Sequence, residues 1–142
     1  MNPSLSLVNI KANNFKSLVD FSLPFSKFNC LVGLNGSGKS TVLQFIDFLS
    51  QQVSGDIDEW LESRQWSAKD LNSTLTKQSN ITFTVALSYL DKPVIWEGSF
   101  NRTELYCTAE KITWGGKSLL NVADGKFSLP TEDLQAPITF AY

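Results

Sequence analysis

Histidine is absent from this 142-residue sequence, which removes every Ser–His and Cys–His nucleophile pair and every histidine-ligated metal. Cysteine occurs only at Cys30 and Cys107, too few for a zinc or disulfide scaffold. No apolar run approaches the about 18 residues of a membrane helix. Met1-Asn2-Pro3-Ser4 has neither the basic start nor the apolar stretch of a secretory signal. Charge of one sign is also missing. Twelve Lys plus Arg against fourteen Asp plus Glu leave a formal charge of -2, which gives no global basic field for nucleic acid. With 42 % hydrophobic and 18 % charged residues, the chain has the composition of one folded domain. A soluble, cytoplasmic protein with both cysteines as buried free thiols is the expectation.

What is present is mostly strand pattern. Ser4 to Ile10 alternates, with Leu5, Leu7 and Asn9 sharing a face, and Lys11 to Asn14 connects it to a second strand, Leu18 to Phe25, stopped by Pro24. Lys27 to Val32 becomes nearly continuously apolar, which suits a strand buried on both faces. A helix follows. Val42, Phe45, Ile46, Leu49 and Val53 recur at helical spacing, and Leu43 and Phe48 make its opposite side apolar too, so a central, mostly covered helix is predicted. Between Gln51 and Asn80 the chain turns polar. Asp56 is placed to cap a short helix, and Asp56, Asp58, Glu59 and Glu62 form a solvated face rather than a metal site. From Ile81 the period is two. Strands are predicted over Ile81 to Ser88, Val94 to Phe100, Leu105 to Thr113, Ser118 to Val122 and Ile138 to Tyr142. The turns between the first four fall at Asp91-Lys92-Pro93, Asn101-Arg102 and Gly115-Gly116, and Ala123-Asp124-Gly125 follows the fourth.

The chemistry lies between the third strand and the helix, in Gly33-Leu34-Asn35-Gly36-Ser37-Gly38-Lys39-Ser40-Thr41. This matches the phosphate-binding loop G-x-x-x-x-G-K-[S/T], and a chance match in this length has a probability on the order of one per cent or less. Glycines bring backbone N–H groups close to phosphate oxygens, and the following helix aims its unpaired N–H groups at the same anion. Lys39 supplies positive charge at the β- and γ-phosphates, and Ser40 a hydroxyl for Mg²⁺. Ser37 and Thr41 add hydrogen bonds or cap the helix. A nucleoside triphosphate is implied; the base is not.

Together with Ile10-Lys11-Ala12-Asn13-Asn14-Phe15-Lys16-Ser17 and Phe28-Asn29-Cys30-Leu31-Val32, the loop resembles the N-terminal half of ABC-type head ATPases. Within these it is most similar to the RecF, structural-maintenance-of-chromosomes (SMC) and overcoming-lysogenisation-defect (OLD) relatives. The motif match covers about Leu5 to Leu49. The resemblance implies that Asn35, Gly36, Ser37, Gly38, Lys39, Ser40 and Thr41 wrap ATP–Mg²⁺. It makes Lys39 and Ser40 the catalytic contributions, Ser40 the metal contact, and Lys16 a cation reaching the nucleotide. Arg64 to Asp70 falls where relatives line the adenine, with Trp66 able to stack there or to pack in the core.

The departures are equally specific. A Walker B strand should end in Asp-Glu, but the nearest run, Val85 to Asp91, is followed by Lys92-Pro93. Gly115-Gly116 lies between strands and cannot be the signature segment, and Gln135, before Pro137, is a poor Q-loop residue. The resulting expectation is an α/β P-loop NTPase lobe, with an antiparallel β layer against the phosphate-loop helix. Residues 1–53 form the nucleotide-binding core, 54–79 a polar helical insert and 80–142 the β-rich part, and the second lobe is absent. As part of a complete head it would hydrolyse ATP. Its partners would be the remaining half and a head-to-head second copy, with DNA bound weakly by this piece and no membrane. DNA repair, chromosome maintenance or anti-phage defence follow by analogy. The rivals are a transporter-type ATPase subunit, a non-catalytic nucleotide sensor or scaffold, and another phosphate-loop enzyme. A GTPase lacks its N-K-x-D motif here, and a nucleotide kinase would not show so long a meander.

Overall fold

Among the described residues, alternation of apolar and polar positions builds a seven-stranded sheet, which carries two helices. A computed structural model describes residues 5–123 and 126–129. The strands are β1 (Leu5–Asn13), β2 (Phe21–Pro24), β3 (Asn80–Tyr89), β4 (Lys92–Asn101), β5 (Tyr106–Trp114), β6 (Lys117–Ala123) and β7 (Lys126–Ser128). Helices α1 (Lys39–Ser54) and α2 (Ile57–Ser63) lie between β2 and β3, followed by a 3₁₀ turn, Ala68–Asp70. The sheet order is β2-β1-β3-β4-β5-β6-β7, and each neighbouring pair is antiparallel. The predicted strand Ile138 to Tyr142 and Gln135 lie outside the described residues, as do Met1 to Ser4 and the Asp124-Gly125 turn.

Directly opposed residues of an antiparallel ladder share a face, so the register shows how the core side is assembled. Val85 faces Ile10 on one side and Trp96 on the other, and Ile81 faces Phe100, which faces Cys107. Val8 interrupts the β1–β3 register as a bulge between Leu7 and Asn9, which reverses the parity of β1. Leu5 and Leu7 therefore share a face with Ile10 and Ala12, and the expected membership of Asn9 is overturned; its amide instead bonds Ser22. The second strand is shorter than predicted because Leu18 is spent on a tight turn, exchanging backbone hydrogen bonds with Phe15.

Helix α1 packs on the core side through Val42, Phe45, Phe48 and Leu49. Phe48, assigned from sequence to the far side, is a hub: its ring lies 5.1 Å from Phe100, 5.2 Å from Phe15 and 6.1 Å from Trp60. The expectation of a mostly covered helix fails at Leu43, beside the core-facing stripe, and at Val53, which belongs to that stripe but is exposed near the helix C-terminus. Asp56 occupies the N-cap of α2 without a side-chain cap bond, and Asp58 and Glu59 in the first turn complement the dipole. All four acids there are exposed, as a solvated face requires.

The clearest correction concerns Lys27 to Val32. This segment is not a strand, and Phe28 and Val32 are 82 % and 87 % exposed. A strand buried on both faces needs ladder partners and two covering layers, and none of the described strands pairs with it. Cys30 is consequently exposed, against expectation, whereas Cys107 is buried. Burial, and secondarily Glu110, push the Cys107 thiol up to about 12.

Candidate phosphate-binding site

The loop from Gly33 to Gly38 follows the irregular segment after β2 and turns directly into α1. Gly38 is the N-cap in the left-handed region, with φ at 89°, a conformation that glycine adopts without steric penalty. It offers no side-chain oxygen to the first turn, so the N–H groups at that end have no intrahelical or side-chain cap. Ser37 N–H donates to the Leu34 carbonyl at 3.1 Å, closing the turn. Lys39 curls back over it, its ammonium donating to the carbonyls of Gly33 at 2.7 Å and Leu34 at 2.6 Å and lying 3.3 Å from Ser37 Oγ. Asn35, Gly36 and Ser37 are exposed, as is Ser40. The donor set suits a polyphosphate and its divalent cation: an uncapped 16-residue helix, an ammonium, and adjacent hydroxyls at Ser40 and Thr41.

A second turn abuts this helix end. Ser17 Oγ donates to Thr41 Oγ1 at 3.3 Å and lies 3.2 Å from where a Cβ on Gly38 would sit. The turn is anchored by Asn14, which is fully buried at φ 65°. Its amide donates to the carbonyls of Gln78 at 2.8 Å and Asn80 at 3.0 Å, while its Oδ1 accepts from Ser73 N–H and Thr76 Oγ1. All of the amide's polar capacity is thus used, which makes a buried asparagine tolerable.

Lys16, between Asn14 and Ser17, has its N–H on the Leu71 carbonyl at 2.8 Å, and its ammonium sits 3.2 Å from the centroid of the Trp66 ring. Desolvation holds this lysine below its usual pKa, with Arg64 adding to the shift and Asp70 opposing it. Trp66 in turn stands edge-on to Trp60, 5.5 Å away, and the Trp60 indole N–H donates to Asp47 of α1 at 2.9 Å. Asp47 also pairs with Arg64, whose guanidinium lies over both indoles. Asp70 closes a capping box with Ser67, and those hydrogen bonds hold its carboxyl below the usual range. The segment from Arg64 to Asp70 therefore does come to the Lys16 turn, with Trp66 as its contact. Asp91, the end of the nearest Walker B-like run, sits instead in the β3–β4 hairpin turn.

The family model for the AAA ATPase domain matches residues 6–139. The chain belongs to that family. Among curated relatives, the OLD nuclease of Thermus scotoductus is 33 % identical over 104 residues, covering 73 % of this chain and 18 % of the relative. The lantibiotic transport ATP-binding protein SrtF of Streptococcus pyogenes is 40 % identical over 53 residues, 37 % of this chain and 22 % of the relative. The chain thus spans about a fifth of the length of these proteins. Membership in the RecF/SMC/OLD-like group of AAA ATPases, suggested by the resemblance, stands.

In this AAA ATPase domain Asn14, Ser17 and Asp47 support the site although the sequence assigned them no role there. Asn14 and Ser17 lie in the segment that carries the resemblance, and asparagine is the non-glycine residue that most readily enters the left-handed region, whereas nothing local marks Asp47. Among the described residues no helix is long and apolar enough to cross a membrane.

Proposed function

We propose that the chain binds ATP–Mg²⁺ as the Walker A half of an ATP-hydrolysing, OLD-like protein. The observation that carries this reading is the loop itself: a complete phosphate-loop motif feeding an uncapped helix N-terminus with Lys39 folded over it. Asn35 to Thr41 embrace the phosphates, Lys39 neutralises charge on them, Ser40 ligates Mg²⁺, and Lys16 approaches from the second turn. Bound Mg²⁺ supplies charge neutralisation at the phosphate oxygens. The remaining groups, a water-orienting Asp-Glu pair and a signature segment, come from the remaining half and from a second head. That same half covers Phe28, Val32, Leu34 and the bare side of α1, making the helix central. Residues 1–142 form one lobe under this reading, working in the cytoplasm in DNA repair or anti-phage defence.

The test is steady-state ATP turnover by residues 1–142, alone and extended by the missing half. Phosphoryl transfer loses about two to four powers of ten when one transition-state group is removed, so the short chain should bind ATP but turn it over at a small fraction of the complete rate. Equal turnover by both, abolished by Lys39→Ala, would refute the lobe assignment. The similarity to a transport ATP-binding protein supports a second reading, a transporter-type subunit. Co-sedimentation of the full protein with membranes favours it; a freely soluble full protein excludes it.

A further inference from the structure

We propose that Trp66 is a positioning residue of the nucleotide site, its indole face holding the Lys16 ammonium ready for a polyphosphate at the start of α1. The proposal rests on the nucleotide reading above and extends it to a residue outside the phosphate-loop motif. Lys16 belongs to the turn whose next residue, Ser17, touches both Thr41 and the space over Gly38, so its location beside the phosphate loop follows from contacts. A lysine on an exposed turn samples many rotamers, and a ligand that recruits it must order a long, flexible stem. Here the stem is already ordered at both ends. The Lys16 backbone is tied to Leu71, and the ammonium rests 3.2 Å from the Trp66 centroid.

The platform is itself fixed. The Trp66 backbone N–H donates to the Leu61 carbonyl at 2.9 Å, its ring leans on buried Trp60, and the Trp60 indole N–H is bonded to Asp47 on α1. The helix that carries the phosphate loop thus also carries, through two indoles, the support for the second cation. The charges around Lys16 are arranged to leave it available. Arg64, the competing cation over Trp66, is paired with Asp47. Asp70 engages Ser67 through both the backbone N–H and the hydroxyl, with no hydrogen bond to Lys16. A ring face attracts an ammonium without consuming its directional hydrogen bonds, so the N–H groups turned from the indole remain free for phosphate oxygens. Ordering in the binding geometry raises affinity by removing an entropic cost.

A double-mutant cycle on the 142-residue chain, with Mg–ATP affinity measured by calorimetry, tests this. Trp66→Leu should weaken binding about two- to thirtyfold, the range a cation–π contact spans from exposed to desolvated settings. Trp66→Phe, which keeps a π face, should retain most of the affinity. In a Lys16→Met background Trp66→Leu should have no further effect, because its action passes through the ammonium. If Trp66→Leu loses its cooperative thermal transition, Trp66→Met takes its place in the cycle, preserving more packing against Trp60 while still lacking a π face. Multiplicative effects of the two substitutions, or unchanged affinity in the Trp66 variant, overturn the proposal. If the parent chain binds Mg–ATP and Lys39→Ala does not, that failure leaves the nucleotide reading intact. If the parent binds none, both fall.

Discussion

Replacing Lys39 by alanine separates the two jobs that its side chain performs. In the structure the ammonium is bonded to the Gly33 and Leu34 carbonyls and lies near Ser37 Oγ, all on exposed residues. Truncation leaves those acceptors to water and strands nothing buried, and alanine is a good residue in a first helical turn. The stability loss should therefore stay near about 1 kcal/mol, a shift in Tm within about 5 °C. Binding is different. Two charge-assisted hydrogen bonds to phosphate oxygens contribute about 1.5–3 kcal/mol each, and the loop bonds surrendered on ligand binding offset about 1–2 kcal/mol of that total. A net loss of about 1–5 kcal/mol corresponds to an affinity lower by about five- to several-thousandfold. Isothermal titration of parent and variant at matched Mg²⁺, alongside thermal melts, gives both quantities. Equal affinity would refute the assignment of Lys39 to phosphate, and a collapse in Tm would make it a scaffold residue instead.

Gly98→Ala puts a Cβ 2.2 Å from Cζ of Phe83, whose buried ring is held edge-on by Trp96 at 4.8 Å. It should cost about 1–3 kcal/mol in denaturant unfolding, with Phe83→Leu recovering part of the loss in the same background. Thiol labelling at pH 8 should modify exposed Cys30 promptly. Cys107, kept protonated by burial up to about 12, should react only after unfolding, and two equally fast thiols would contradict the buried assignment. With a formal charge of -2 the chain should hold duplex DNA no better than micromolar at about 150 mM salt; a filter-binding constant well below that would reveal a basic face.

The meander was legible because each residue there does one thing. Ile81, Phe83, Val85 and Leu87 face the core side at every second position, and β3 to β6 follow within a residue or two of expectation. The hairpin tip was displaced from expectation: Leu90 and Asp91, both at positive φ, make the turn, while Lys92 and Pro93 already pair with Tyr89 and Ser88. The phosphate loop was legible for another reason: its spacing is dictated by a ligand and not by neighbouring strands. Where the reading failed, the deciding partner was remote in sequence. Lys27 to Val32 has the composition of a buried strand but no strand beside it here, so its apolar character misled. Val8 bulges because of its fit to β3, and Phe48 is buried because Phe15, Trp60 and Phe100 converge on it. Nothing local to Lys16 announces an indole fifty residues downstream, the difference between positions 16 and 66.

The hydrogen-bonded asparagine at position 14 also sets an order of assembly. Its side-chain partners at Ser73, Thr76, Gln78 and Asn80 lie between 59 and 66 residues along the chain, and everything from the phosphate loop through α2 lies inside the ring they close. Closing a ring of that size costs about 3–4 kcal/mol of chain entropy beyond the constant common to all loops. The hairpins of β3 to β6 carry no such charge, since each joins neighbours across a few residues. In a refolding experiment the sheet should therefore gain its circular-dichroism signal before a fluorescent nucleotide is retained, and simultaneous recovery would contradict this sequence of events. The turn beside the loop, and with it the pairing of Ser17 to Thr41, is expected to wait for β1 to find β3. Nucleotide competence comes last.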